Sequence, residues 1–271
     1  MITCLITGAT SGIGLSILKI LVQKKIRILV IGRSEKKWKL LKKKNPKIKK
    51  IKFIKADLSD ISFIKKIRSS FKDVENIDIM INNAGLINDK LEINSIKVEK
   101  TYFTNFLSVF ILIKILMPKI LKSKSPLIIN TSSFVSRFGK INLKNLQQQK
   151  NFNGWNSYKN SKLMLSILTN YYSHKFLYKV NFLSWSPGYT KSNLGSTSRY
   201  LRKIIFFIRQ LIGQHPDKAA NDLYYVLKTF NKSKYSGSFI FRKKIVLNNF
   251  FKRFKYEAEK LNIIINKYES W

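Results

Sequence analysis

Ile2-Thr3-Cys4-Leu5-Ile6-Thr7-Gly8-Ala9-Thr10-Ser11-Gly12-Ile13-Gly14-Leu15-Ser16-Ile17-Leu18 opens the chain just after Met1 and carries no charge. Ile2–Thr7 is an apolar, β-branched run, and the glycines that follow break it before a helical stretch begins. Strand, tight turn and helix start is the order this predicts. Glycines here let a pyrophosphate approach backbone N–H groups at a helix N-terminus, so Thr7, Gly8, Thr10, Ser11, Gly12, Ile13 and Gly14 are candidate cofactor-binding residues. A glycine cluster alone also serves any tight strand-to-helix turn. The spacing Gly-x3-Gly-x-Gly after Thr7 differs from the general Gly-x-Gly-x-x-Gly fingerprint and points to a narrower group of proteins.

Further along, Arg27–Ile31, Ile51–Ala56, Ile77–Asn82, Leu127–Thr131 and Val180–Trp185 repeat the apolar pattern, separated by segments of helical length. A last strand is expected near Ser238–Phe241. Short strands buried on both faces and joined by crossover helices predict an α/β fold: a single-domain, doubly wound parallel sheet of about seven strands with helices on both faces. Residues 1–242 should form this domain, with 137–154 an inserted loop and 189–214 a substrate-loop region. Phe254, Ala258, Leu261, Ile265 and Tyr268 recur at helical spacing, so 243–271 is expected as an amphipathic helical tail packed on the same domain.

Composition narrows the function. With 271 residues and 45% hydrophobic content, the chain can bury a sizeable core. One cysteine, Cys4, and two histidines, His174 and His215, give no recognisable metal-ligand spacing, and no metal is expected. Met1–Leu18 lacks the basic leader of a secretory signal. Phe106–Leu121 is interrupted by Lys114, Pro118 and Lys119 well short of the roughly 20 apolar residues a span needs. These features predict a cytoplasmic protein. Arg199–Ile212, basic and apolar, is a candidate lid over a substrate pocket, with peripheral contact to an anionic membrane as the competing reading. The net charge of +38 would attract polyanions, yet lysines run from Lys19 to Lys267 beside abundant Ile, Asn and Phe. That spread reads as compositional bias, and specific nucleic-acid binding is not expected.

The second strand ends at Ile31-Gly32-Arg33-Ser34, where a dinucleotide fold meets the adenosine ribose. Gly32 removes the usual acid, and Arg33 can fork onto a 2′-phosphate, which favours NADP(H). Glu35 keeps NAD(H) open. Later, Tyr158 and Lys162 share one face of a predicted helix. A phenol with an ordinary pKa of about 10 is a poor base near neutrality, and an adjacent ammonium favours its ionised form. Taken alone, this pair is an ordinary solvated helix face.

Its company changes the reading. Thr7–Gly14, Asp57-Leu58, Asn82-Asn83-Ala84-Gly85, Asn105, Ser132-Ser133, Tyr158 with Lys162, and Pro187-Gly188 occur in the order of the short-chain dehydrogenase/reductases. The chain resembles that family from about Ile2 through Phe241, and its retinol-dehydrogenase-like branch most of all, including the long insertion between serine and tyrosine. The resemblance implies that Ser133 bonds the substrate oxygen and that Tyr158 is the acid/base. It implies that Lys162 holds the nicotinamide ribose and lowers the tyrosine pKa, and that Asn105 supports a proton-relay water. Asp57 and Leu58 would contact adenine, and Asn83, Ala84 and Gly85 would line the central cofactor site. Pro187, Gly188, Thr190 and Ser192 would shape the nicotinamide end.

The function so implied is hydride transfer between NADP(H) and a carbonyl or alcohol carbon of a fairly apolar small molecule. The family also leaves a homo-oligomer open. The competing reading is a dinucleotide-binding regulatory protein with weak catalysis. Ser132 leaves the choice of serine open.

Overall fold

The computed structural model describes residues 1–191, 213–247 and 253–268. Strand β1 (Ile2–Thr7) enters the glycine turn and α1 (Gly12–Leu21), then β2 (Ile26–Gly32) leads into α2 (Glu35–Lys44). Next come β3 (Lys52–Lys55), α3 (Phe63–Ser70) and β4 (Ile79–Asn82). A long helix, α4 (Lys100–Ile120), contains a π-helical turn at Phe103–Leu107. Strand β5 (Leu127–Thr131), α5 (Gly154–Lys175), β6 (Asn181–Ser186), α6 (Pro216–Thr229), α7 (Lys232–Tyr235), β7 (Phe239–Phe241), β8 (Lys244–Leu247) and α8 (Lys255–Asn266) complete the described chain.

The strands make one sheet in the order β3-β2-β1-β4-β5-β6-β7-β8. All pairings are parallel except β7 with β8. Strand order reverses between β1 and β4, so the crevice beyond their carboxyl ends is where this architecture places a ligand. The α/β class and the parallel sheet agree with the sequence; the strand count does not. The sheet has 8 strands rather than about seven, because β8 falls inside the stretch expected to be wholly helical. The β7–β8 connection turns at Arg242, whose φ of 56° is left-handed. Glycine or asparagine normally marks such a turn, and neither is present.

Alternation along each strand builds the two halves of the core. Leu5, Leu29, Met80, Ile128 and Phe182 point into one cluster with α3, α4 and α5. Cys4, Ile28, Val30, Ile81, Ile129 and Leu183 point into the other, against α1, α2 and α6. Burial pushes the Cys4 thiol up to about 12, so it stays a neutral packing group. Helix α4 is long and apolar enough to cross a membrane, but most of it is buried inside the fold. Along α8, Ala258, Leu261 and Ile265 are buried; Leu261 and Ile265 join the α4–α5 side, and Ala258 packs near Leu163 and Ile167.

Candidate active site

Beyond the carboxyl ends of β1, β4 and β5 lies a cleft of about 650 Å³. Its floor is the glycine turn. Gly8 and Gly12 take φ of 71° and 54°, conformations that other residues enter at a cost. Ser11, the N-cap of α1, makes no side-chain cap bond, and Ser11, Gly12 and Ile13 border the cleft with Gly8 and Thr10. This helix start fits an anionic pyrophosphate, whose oxygens can accept from first-turn N–H groups.

Two residues of the same turn work from beneath. Thr7 is 1% exposed, and its Oγ1 accepts from the backbone N–H of both Asn83 and Ala84 at 3.0 Å. Asn83 returns the contact, its Nδ2 donating to the carbonyls of Thr7 (3.2 Å) and Gly8 (3.3 Å). A Cβ on Gly14 would collide with the Gly8 carbonyl oxygen and the Asn83 amide. Thr7 and Gly14 therefore hold the turn closed and are not among the residues bordering the cleft. A motif records that a position is constrained without saying whether ligand or protein imposes the constraint.

The end of the cleft beyond β2 is basic. Arg33, Ser34 and Lys37 border it with Asp57 and Leu58. Lys37 is there because Ser34 caps α2, its Oγ accepting from Lys37 N at 3.2 Å. A Cβ on Gly32 would meet the Phe53 ring at 3.1 Å, so a larger residue would require that ring to shift. Glu35 is exposed and paired with Lys39 (3.5 Å) and Lys55 (3.9 Å), outside the cleft wall. The Asp57 carboxylate accepts from Ser59 N (2.9 Å) and Ser59 Oγ (2.8 Å).

At the other end, β5 delivers two serines with different environments. Ser132 is buried, its Oγ 2.7 Å from Ser166 Oγ and 3.2 Å from the Lys162 carbonyl, so it is tied into α5. Ser133 is half-buried at the cleft and makes no side-chain cap bond to the 3-10 turn that follows it. Tyr158 and Lys162, one turn apart on α5, both border the cleft. The Lys162 Nζ lies 5.9 Å from the Tyr158 ring centre and donates to the Thr131 carbonyl at 2.7 Å. Burial holds the Lys162 ammonium well below its ordinary value, at about 7. Trp155 stacks on Tyr158 with ring centres 5.9 Å apart and, with Leu86, Phe134, Val135 and Tyr189, makes this end apolar.

Helix α5 is placed by buried polar bonds that the motif did not reveal. Asn82 Nδ2 donates to Asn130 Oδ1 (2.8 Å), and Asn130 Nδ2 donates to Thr169 Oγ1 (2.9 Å), linking β4, β5 and α5. Gly154 begins the helix hard against the Asn88 carbonyl, where a Cβ has no room. Asn105 is fully buried in the π-helical turn. Its Oδ1 accepts from Leu86 N (2.9 Å), and its Nδ2 donates to Leu86 O (2.9 Å) and Ser161 Oγ (3.1 Å). It thus joins α4, α5 and the loop after β4 and is not among the cleft-bordering residues.

Ala84, Gly85, Pro187, Gly188 and Thr190 all border the cleft. Gly188 has a φ of 79°, and Thr190 Oγ1 donates to its carbonyl at 3.2 Å. Ser192 and the Arg199–Ile212 segment lie outside the described residues.

A family model described as short chain dehydrogenase matches residues 3–201. Human retinol dehydrogenase 11 is 29% identical over 202 residues, which cover 73% of this chain and 64% of that protein, just under two thirds of its length. An uncharacterized protein from Mycobacterium paratuberculosis superposes with a TM-score of 0.77 at 21% identity, over 100% of this chain and 94% of that one. A short chain dehydrogenase from Shigella flexneri complexed with NADP gives 0.71 at 19% identity, over 90% and 97%. At these identities the superpositions speak to the fold; the sequence match carries the assignment. The chain belongs to the short-chain dehydrogenase family.

Proposed function

We propose that the protein is an NADP(H)-dependent oxidoreductase acting on a carbonyl or alcohol carbon of a fairly apolar small molecule. One observation carries this reading: Ser133, Tyr158 and Lys162 border the same cleft as the glycine turn and Arg33. A bound nicotinamide supplies or accepts the hydride. Tyr158 exchanges a proton with the substrate oxygen, and Ser133 donates a hydrogen bond to that oxygen as charge develops on it. Lys162 holds the nicotinamide ribose and, when protonated, favours the phenolate of Tyr158. Asn105, its side chain committed to Leu86 and Ser161, supports the proton relay by fixing those two residues.

NADP(H) is preferred because Arg33 and Lys37 present two cations to a 2′-phosphate, while Glu35 is engaged with Lys39 and Lys55. The apolar end formed by Leu86, Phe134, Val135, Trp155 and Tyr189 supports an apolar substrate. The test is a panel of aldehydes and ketones incubated with NADPH or NADH, with cofactor consumption followed by absorbance. NADPH-dependent reduction of apolar members is expected. Tight NADPH binding with no consumption across the panel would leave a cofactor-binding protein without catalysis.

A further inference from the structure

Glu99 is a carboxylate with 0% exposure that the proposed chemistry does not use. It caps the start of α4, accepting from Thr101 N at 2.7 Å through Oε1 and from Tyr102 N at 2.6 Å through Oε2. An N-cap needs no more than this. Yet Oε2 also accepts from Ser157 Oγ at 2.8 Å, a contact between residues 58 positions apart. Ser157 immediately precedes Tyr158. One buried carboxylate therefore ties the start of α4, which carries Asn105, to the turn of α5 that presents Tyr158. Burial pushes the Glu99 carboxyl upward, and its three donors oppose that shift.

The insertion before α5 reinforces the same joint. Gln147 Oε1 accepts from Glu99 N at 3.3 Å, while Gln149 Nε2 donates to Gln147 Oε1 (2.7 Å) and to the Lys97 carbonyl (2.9 Å). Lys97 has a left-handed φ of 57°, in the tight turn where Lys97 N donates to the Asn94 carbonyl. The glutamine run, which has no periodicity of its own, acts as a strap across the segment that leads into Glu99.

The geometry points to Glu99 as a positioning residue for the reaction, acting through Ser157 to fix where the Tyr158 hydroxyl meets the substrate oxygen. It rests on the acid/base reading of Tyr158. The test is a double-mutant cycle on the intact chain, scored by kcat, by KM for NADPH and by Tm. Ser157→Ala removes the link and leaves the α4 cap in place, whereas Glu99→Asp keeps a capping carboxylate but withdraws it from Ser157. Each is expected to lower kcat about 10-fold through misplacement of Tyr158, with KM for NADPH unchanged. The double variant should be no worse than the poorer single one, because both cut the same link.

Losses that multiply in the double variant, or a kcat that survives while Tm falls, would overturn the inference and leave Glu99 a helix cap. Should Glu99→Asp fail to fold, Ser157→Ala alone decides by the same split between kcat and KM. A Tyr158→Phe control separates the two claims. Turnover surviving in that control removes the acid/base reading and this inference with it; turnover lost there but untouched in Ser157→Ala removes only the inference.

Discussion

Lys162 is a cation placed where a cation is costly. It is 4% exposed, and one carbonyl, that of Thr131, accepts from its Nζ. Its folded pKa of about 7 lies below the 10.5 of a free lysine, so between those values the unfolded chain binds a proton that the native protein has lost. Stability therefore rises with pH across that window, and the burial penalty is present in full below about pH 7. Lys162→Met removes the titrating group. The stability of the natural protein relative to this variant should climb by about 1.4 kcal/mol per pH unit from neutrality upward. Denaturant unfolding of both at several pH values checks this, and a constant difference would contradict it.

At the opposite end of the cleft, Arg33→Ala should weaken NADPH binding about 10- to 100-fold, the range for losing a charge-assisted contact, and leave NADH nearly unchanged. Titration of both cofactors measures it; equal losses would contradict it. Single residues were legible in the sequence as a set and less so by role. Ser132 and Ser133 cannot be ranked from a dipeptide, because what separates them is the contact of Ser132 with Ser166 and the Lys162 carbonyl. Asn105 likewise makes bonds to Leu86 and Ser161, 19 and 56 positions away, that no local pattern records.

Among the elements, the glycine turn makes the firmest structural demand. Gly14 sits where α1 passes the Gly8 carbonyl and the Asn83 amide, and backbone cannot retreat as a flexible side chain can. Gly14→Ala should displace the turn, lower Tm by several degrees and reduce affinity for NADPH and NADH together. Differential scanning fluorimetry and cofactor titration measure the two effects, and an unchanged Tm would contradict the packing argument. Strands β1 to β7 were legible because their apolar runs have no alternative to burial between helices. Strand β8 was not, since Lys244–Leu247 is short and its turn is made by Arg242 and Lys243 without glycine. The insertion hid its role for a different reason: Gln147 and Gln149 act through partners 48 and 52 positions away.

At the scale of the whole molecule, the sheet order brings the glycine turn, the basic residues after β2 and the start of α5 around one cleft beyond the carboxyl ends of the strands. The charge of +38 comes from lysines and arginines spread along the whole sequence. Exposed lysines occur on α2 (Lys36, Lys39), after α4 (Lys122, Lys124), in the insertion (Lys144) and near the end of α5 (Lys175). Such a charge attracts anionic ligands without orienting them; under the proposed function, orientation of the cofactor falls to Arg33, Lys37 and the start of α1, which border the cleft. In the proposed mechanism, Tyr158 is what turns binding into chemistry. The most direct measurement is turnover of NADPH with an accepted carbonyl substrate by the natural protein and by Tyr158→Phe, with cofactor affinity measured in parallel. Loss of turnover by at least about 100-fold, in the range of general acid–base catalysis, with NADPH affinity retained, is the predicted result; turnover that persists in the Phe variant would contradict the account.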